Sequence, residues 1–383
     1  MALAVKNNSA TFTGILVQTD ELADIFSQRA EHIDSEGIFP HENFEDLKER
    51  GFLSLTVPEK YGGKGLNLYE FLQVQEKLAK GDAATALSIG WHLGVILESA
   101  ETNHWQEQSF ARLCRLIVEE KALINLAQTE MATGSPSRGA VPQTTAVKEA
   151  GGWRINGRKS FTSMASALDY SIVTVDVDRT GQKGFMLIDH RLPGVRVEET
   201  WDSIAMRGTK SDDLVLENVL ADRDALLSVE SAKKPFPKGW YLQIPAVYLG
   251  VAVSAREYAV EFATSYQPVT LPGPIKEVPE VRRKFGEIEL EIFKAREVLY
   301  SVARKWVEQP DERSHMASEL AAVKHICTNS ANTAVDLAMR IVGARSLSAK
   351  NPLQRHFRDV RAGLHNPPTD DTIVYNLANN ILG

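Results

Sequence analysis

The sequence predicts an α+β protein of three parts: helical over residues 1–121, strand-rich over 122–227 and helical again over 228–383. Two changes of period carry that division. Apolar residues recur at helical spacing up to about Lys121, give way to short apolar runs separated by turn residues, and return to helical spacing near Trp240. A chain of 383 residues is also long for one domain and can bury a large core.

The first part reads as a series of helices. Residues 1 to 13 are polar and read as loose. Leu22, Ile25, Phe26, Ala30 and Ile33 then mark a helix, with Thr19 as its cap and Gly37 at its end. Phe44, Leu47 and Phe52 mark a second helix after Pro40. The run Pro58-Glu59-Lys60-Tyr61-Gly62-Gly63 is a rigid loop. A third helix begins at Phe71, a small-residue helix runs from Ala83 to Ile96, and another from Trp105 to Glu120.

The middle part opens on the strand Leu123-Ile124-Asn125-Leu126-Ala127-Gln128. The dipeptide Asn156-Gly157, between Trp153-Arg154-Ile155 and Arg158-Lys159-Ser160-Phe161, predicts a hairpin with a type I′ turn. Further strands follow around residues 144–147, 170–175, 184–188, 195–198 and 214–219. Their even spacing argues a small β-barrel or a sandwich. In the last part, Val281, Phe285, Ile288, Ile292, Ala295, Val298 and Val302 form one long stripe, and Leu320, Val323, Cys327, Ser330, Ala334, Leu337 and Ile341 another. Steps of three and four suit antiparallel helices at a shallow angle, a four-helix bundle.

Bulk properties exclude several classes of function. The net charge of −7, without a basic stripe, argues against a nucleic-acid partner. Cys114 and Cys327 stand far apart, outside any metal-ligand spacing, which leaves no disulfide framework and no metal site to predict. No apolar run is long enough to span a bilayer, and the N-terminus lacks the pattern of a signal peptide. The expected compartment is the cytoplasm.

The chemistry concentrates in residues 123–163. A strand end, a Gly-containing polar turn and a run alternating Phe161 with hydroxyls would offer backbone N–H groups, hydroxyls and one aromatic face to a flat polar ligand. A plain β-domain with Ser/Thr-rich turns has the same composition. The motifs Thr129-Glu130-x-x-x-Gly134-Ser135 and Gly152-Trp153-x-Ile155-Asn156-Gly157-x-Lys159-x-Phe161-x-Ser163, followed by Met206-Arg207-Gly208-Thr209-x-Ser211, resemble in order and spacing those of the acyl-CoA dehydrogenase superfamily. The resemblance runs over nearly the whole chain. It implies a helical domain, a central flavin-binding β-barrel and a C-terminal four-helix bundle. The implied activity is a FAD-dependent oxidoreductase passing hydride from an acyl thioester to the flavin, with FMN as the other flavin to consider.

Site residues follow from the same resemblance. Leu126, Ala127 and Thr129 would lie beside the flavin ring. Phe161, where the family usually has tryptophan, would flank it. Ser163 would reach the ring or ribityl region, and Ser135 the pyrophosphate or the substrate's nucleotide tail. Arg340, Gly343 and Ala344 stand in the family's C-terminal glycine turn, with Arg345 suited to a diphosphate or to a surface salt bridge. Thr369 and Asp371 would lie beside the cofactor. The Arg-x-x-Phe-Gly element after the first bundle helix is replaced by Tyr266-Gln267-Pro268-Val269.

The family's catalytic glutamate is absent. After Arg358-Asp359, Pro367 falls on its position, and the alternative place early in the first bundle helix holds Gln243. The remaining candidate bases are His365, His92 and Asp370. A neutral imidazole has a pKa suited to proton transfer. The segment Leu364-His365-Asn366-Pro367 also resembles the two-component flavin monooxygenases of this superfamily, which use reduced flavin and O₂. A flavin-binding protein that has lost its base is a further reading. Implied partners are acyl-CoA, and an electron-transfer flavoprotein or a flavin reductase. The implied assembly is a homo-oligomer, dimer or tetramer, joined through Ser330, Ala334, Ala338 and the turn at Gly343.

Overall fold

The computed structural model describes residues 9–102, 105–133, 140–230 and 237–382. Helix α1 (Ser9–Glu36) starts well before Thr19. The Thr19 hydroxyl donates to the Ile15 carbonyl at 2.7 Å, inside the helix, and caps nothing. Buried Ile15 extends the apolar stripe of Leu22, Phe26, Ala30 and Ile33 toward the N-terminus, so packing carries the helix through residues 9–13, which the polar composition assigned to a loose segment. Helix α2 spans His41–Glu49 and α3 spans Leu68–Gly81. Asn67 caps α3 through a reciprocal pair with Glu70. Helix α4 (Ala83–Thr102) is buried on almost every side, and α5 spans Glu107–Glu119.

The strands are β1 (Ile124–Ala127), β2 (Thr145–Glu149), β3 (Gly152–Thr162), β4 (Tyr170–Val177), β5 (Gln182–Asp189), β6 (Val195–Glu198), β7 (Asp212–Ala221) and β8 (Leu226–Val229). They form one sheet in the order β6-β7-β3-β2-β4-β5-β8, with β1 parallel to β4. The end strands β6 and β8 do not pair among the described residues, so the expected barrel is an open sheet. Its halves still share one apolar core, which includes Ile155, Val173, Ile188, Leu214 and Leu216.

The predicted hairpin turn at Asn156-Gly157 does not form. Both residues lie inside β3, which runs on to Thr162, and the register against β7 shifts between Ile155 and Gly157. The tight turn lies instead between Glu149 and Gly152, which pair across it. Asn156 uses its side chain to accept the Asn218 amide at 2.8 Å. Gly157 is needed for contact: a Cβ there would lie 2.4 Å from Thr144 Oγ1 and 2.6 Å from its Cα. A bulge with a close backbone neighbour uses the same residue type as a turn.

The C-terminal helices are α6 (Gln243–Ser265), α7 (Pro279–Glu308), α8 (Ala317–Val342), α9 (Pro352–His365) and α10 (Asp370–Leu382). Helices α6 to α9 pack on one another as the predicted bundle, and α10 docks on α8. Helix α3 packs on α6, so the two helical parts share one core. The stripe Ser330, Ala334 and Ala338 is buried inside this single chain, which removes it as an assembly surface. No described helix is long and apolar enough to cross a membrane.

Candidate functional site

The two segments singled out in the sequence meet where the ends of β1 and β3 come together. The Thr129 carbonyl accepts the Ser160 amide at 2.9 Å, and Asn125 Nδ2 donates to the Ser163 carbonyl at 3.0 Å. Leu126 and Thr129 are half-buried on this rim, whereas the Ala127 side chain is spent in the sheet core. Phe161 is 58% exposed with φ at +56°, and its ring meets Trp201 edge-on at 6.1 Å. A bulky residue in that backbone region is strained. An exposed aromatic held under strain is a presented surface, which excludes Phe161 as plain core. Gly134 and Ser135 lie outside the described residues.

Ser163 closes the rim. Its hydroxyl lies 2.9 Å from the Ser211 hydroxyl, which lies 2.8 Å from Thr209 Oγ1. Thr209 Oγ1 in turn donates to the Met206 carbonyl at 3.0 Å. Met206 is pinned from behind, because its amide donates to Asp359 Oδ1 at 2.6 Å. Burial pushes the Asp359 carboxyl up to about 7. Beneath the rim, Lys159 Nζ sits 2.5 Å from Glu130 Oε1 and donates to Thr174 Oγ1 at 3.1 Å. Glu130 also accepts the amides of Gln143 and Thr144 and the Thr144 hydroxyl. Both members of this pair belong to the sequence motifs, but motif matching alone assigns them no role.

The candidate bases have different fates. His92 is wholly buried, with Nε2 2.9 Å from the Leu53 carbonyl and Nδ1 accepting the Ile124 amide at 3.1 Å. Since Nδ1 accepts, the proton sits on Nε2 and is spent on Leu53. Burial depresses its pKa to about 4. Both nitrogens are used and no solvent reaches them, so His92 is a fixed strut between α4, β1 and the loop at Leu53 and leaves the list of bases. Asp370 accepts from Lys324 at 3.2 Å and Asn329 at 2.7 Å, and lies 3.4 Å from His325. Burial raises its carboxyl, but Asn329 and Lys324 outweigh burial and hold it below its ordinary value. It clips α10 to α8. His365 is exposed at the end of α9, and no hydrogen bond of its imidazole is found among the described residues. Next to it, Asn366 Oδ1 accepts the Tyr248 hydroxyl at 2.6 Å, which ties the segment to α6. Gln243 is buried in the first turn of α6, with neither amide atom paired among the described residues.

The residues expected at the cofactor's far end do not converge within one chain. Arg340 pairs with Asp336 at 2.7 Å, and Gly343 and Ala344 end α8. Thr369 and the exposed Asp371 stand at the start of α10. Asp370 docks beside Asn329, roughly 16 Å along α8 from Arg340 at 1.5 Å per residue. Arg345 stacks over Tyr266 at 4.1 Å, a cation–π contact rather than the salt bridge that was its alternative.

Family models for the N-terminal, middle and C-terminal domains of acyl-CoA dehydrogenase match residues 19–117, 125–219 and 242–366. The chain belongs to the acyl-CoA dehydrogenase family, whose members are flavin-dependent oxidoreductases. It is 51% identical over 358 residues to a Bacillus subtilis (strain 168) protein, "Putative acyl-CoA dehydrogenase YdbM", covering 93% of each chain. It is 28% identical over 355 residues to dibenzothiophene monooxygenase from Rhodococcus erythropolis, covering 84% of this chain and 82% of that one. The fold matches butyryl-CoA dehydrogenase from Megasphaera elsdenii with a TM-score of 0.85, at 22% identity over 100% of both chains. That last likeness bears on the fold alone.

The rim fits a flavin in polar and surface chemistry. It combines an exposed aromatic face at Phe161, a half-buried apolar edge at Leu126, and hydroxyl groups at Thr129 and Ser163.

Proposed function

We propose that this chain is a FAD-dependent oxidoreductase of acyl-CoA dehydrogenase type. The flavin ring would lie against residues 126–129 and 161–163, and the substrate is an acyl-CoA thioester. The carrying observation is the convergence of both segments on one rim, with Phe161 exposed at positive φ. Bound there, a flavin supplies the acceptor for a substrate hydride. Thr129 holds the ring edge, Phe161 covers one face and Ser163 offers its hydroxyl. Arg340, Gly343, Ala344, Thr369 and Asp371 hold the far end of FAD, drawn from two copies of the chain because one copy does not bring them together. Should that grip fail, FMN is the flavin.

Proton removal falls to His365. Proline at 367 has no acceptor side chain, the Gln243 amide does not take a proton at neutral pH, His92 is sealed and Asp370 is clipped. His365 stands two residues before Pro367 on a segment anchored by the Tyr248–Asn366 bond. The test is anaerobic. Acyl-CoAs of graded chain length are added to the yellow protein, and bleaching by one of them is expected. An electron-transfer flavoprotein is then the acceptor to try. The exposed apolar side chains Leu290 and Phe293 on α7, and Val374, Tyr375, Ile381 and Leu382 on α10, are the surfaces for a dimer or tetramer.

A second reading is a reduced-flavin monooxygenase. It is favoured by the lack of a carboxylate at either family base position and by the 28% identical monooxygenase. A flavin reductase would then be the partner. No bleaching by any acyl-CoA, with oxygen-dependent turnover once reduced flavin is supplied, selects this reading over the first.

A further inference from the structure

The β2–β3 turn, the first turns of α5 and the short 3-10 turn Arg223–Ala225 between β7 and β8 wall a cavity of about 700 Å³. Trp153 lines it at the start of β3, whereas the rim lies past the far end of that strand. At about 3.3 Å per residue, roughly 30 Å of chain separates Trp153 from Ser163. Arg112 of α5, Lys148 of β2 and Arg223 line the cavity, together with the carboxylates of Glu149 and Asp224. Both carboxylates are already answered. Asp224 pairs with Arg112, and Glu149 takes two bonds from Arg154, which is not part of the lining. Lys148 and Arg223 form no ion pair among the described residues. Asp178 accepts the backbone amide of Lys148, at 2.8 Å, rather than its ammonium. The Arg223 guanidinium donates to the Ala150 carbonyl, and the Arg223 carbonyl accepts Trp153 Nε1 at 3.3 Å, so this cation is fixed across the turn. Two positive charges are left over in one concave place, on a chain whose net charge is −7.

Two uncommitted cations ask for a dianion. A phosphate monoester carries about −1.5 to −2 at pH 7, and a guanidinium fork matches its oxygens. A single carboxylate would leave one cation unanswered. The cavity is far larger than a phosphate and falls among small-molecule sites of about 300–1,000 Å³, so the ligand has an organic body. Trp153 and Leu226 give that body an apolar wall, and the amides of Gln106 and Gln108 give it donors and acceptors. We propose that this cavity binds a small phosphate monoester of nucleotide size, held at its phosphate by Lys148 and Arg223. The site is separate from the rim and does not depend on what the rim binds.

The test is isothermal titration calorimetry on the full chain with AMP, ribose 5-phosphate, adenosine, inorganic phosphate and succinate. At least one of the two esters is expected to bind, more tightly than inorganic phosphate or succinate, and adenosine is not. Lys148→Gln and Arg223→Gln should each weaken the bound ester by about tenfold or more, the size of one hydrogen bond to a charged group. Arg115→Gln, which removes a cation of α5 that does not line the cavity, should leave the affinity unchanged. Lys148 is exposed and its side chain ties no two elements together, so its variant reads the contact and not the fold; circular dichroism checks the other two. Binding of neither ester, binding of inorganic phosphate or succinate as tight as that of the ester, an unchanged affinity in Lys148→Gln, or an equal loss in Arg115→Gln overturns the proposal. Each of these results leaves the flavin reading standing, because that reading is decided by bleaching at the rim.

Discussion

Lys159 Nζ and Glu130 Oε1 lie 2.5 Å apart in a place that water does not reach, with the two side chains 0% and 4% exposed. Burial pulls the lysine down to about 8, against the pull of Glu130. The same burial raises Glu130, but Lys159, Thr144 and Gln143 prevail and hold it below its ordinary value. The pair joins the turn after β1 to β3, directly under the rim that Thr129 and Ser160 share. Removing one partner of such a pair strands the other, at a cost of about 3–5 kcal/mol. Lys159→Met should therefore lose that much in chemical denaturation, and the double variant with Glu130→Gln should recover part of it. A single-variant loss no greater than that of an ordinary surface substitution would show the pair to be incidental.

Gly157 is tied to the same cluster. Its missing Cβ leaves room for Thr144, whose hydroxyl and amide both serve Glu130. Gly157→Ala should push β2 and β3 apart at that point and cost about 1–3 kcal/mol, the usual range for overpacking. The substitution should also loosen flavin binding, since Thr129 rides on the same turn. Thermal melts and a flavin titration check both parts. A stable variant with unaltered affinity would mean that the bulge yields easily.

Periodicity made the helical and strand-rich parts legible, and motif spacing pointed to the rim. Other features depended on contacts that no single stretch of sequence records. Asn156-Gly157 reads as a turn in sequence because a turn and a close-packed bulge call for the same residues. The start of α1 is not legible in sequence because Ile15 is one apolar residue in a polar run, and its burial is decided by packing against the rest of the fold. The role of His92 as a strut is not legible in sequence because Leu53 and Ile124 bind it from far along the chain. The stripe at Ser330, Ala334 and Ala338 gave the right spacing, but a small-residue face serves the inside of a bundle as well as the outside of a protomer.

His92 makes stability depend on pH in a stated direction. Its folded pKa of about 4 lies below the ordinary 6.5. Between those values the unfolded chain takes up a proton that the folded chain refuses. The stability is complete above pH 6.5 and is lost as pH falls toward 4, by roughly 3 kcal/mol at 1.36 kcal/mol per unit. His190 and His356, pushed down to about 4 and about 3, act in the same sense. The Asp359 carboxyl, raised to about 7, acts in the opposite sense. The check is therefore a comparison. His92→Gln keeps one donor for Leu53 and one acceptor for Ile124 but does not titrate. Its unfolding free energy should fall less steeply than the wild type's between pH 6.5 and pH 4, and parallel curves would refute the assignment.

His365 decides how the proposed chemistry proceeds without the family's glutamate. The segment cannot rely on Pro367, which offers neither an acceptor side chain nor an N–H. Pro367 keeps Asn366 extended and the Tyr248 hydroxyl holds its side chain, so the backbone that carries His365 is anchored by α9 on one side and by Asn366 on the other. Its exposure in the single chain leaves the imidazole free to meet a substrate. A general base in reach of the substrate carbon contributes about 10²–10⁴-fold. His365→Ala should lower kcat by that factor while the flavin titration stays as in the wild type. His365→Gln, which keeps hydrogen bonding but cannot take the proton, should be equally slow. Rescue of the alanine variant by added imidazole, rising with the fraction of neutral imidazole as pH is raised, would identify the missing function as proton transfer. Wild-type turnover in His365→Ala would instead place the proton-transfer group outside α9 and its extension.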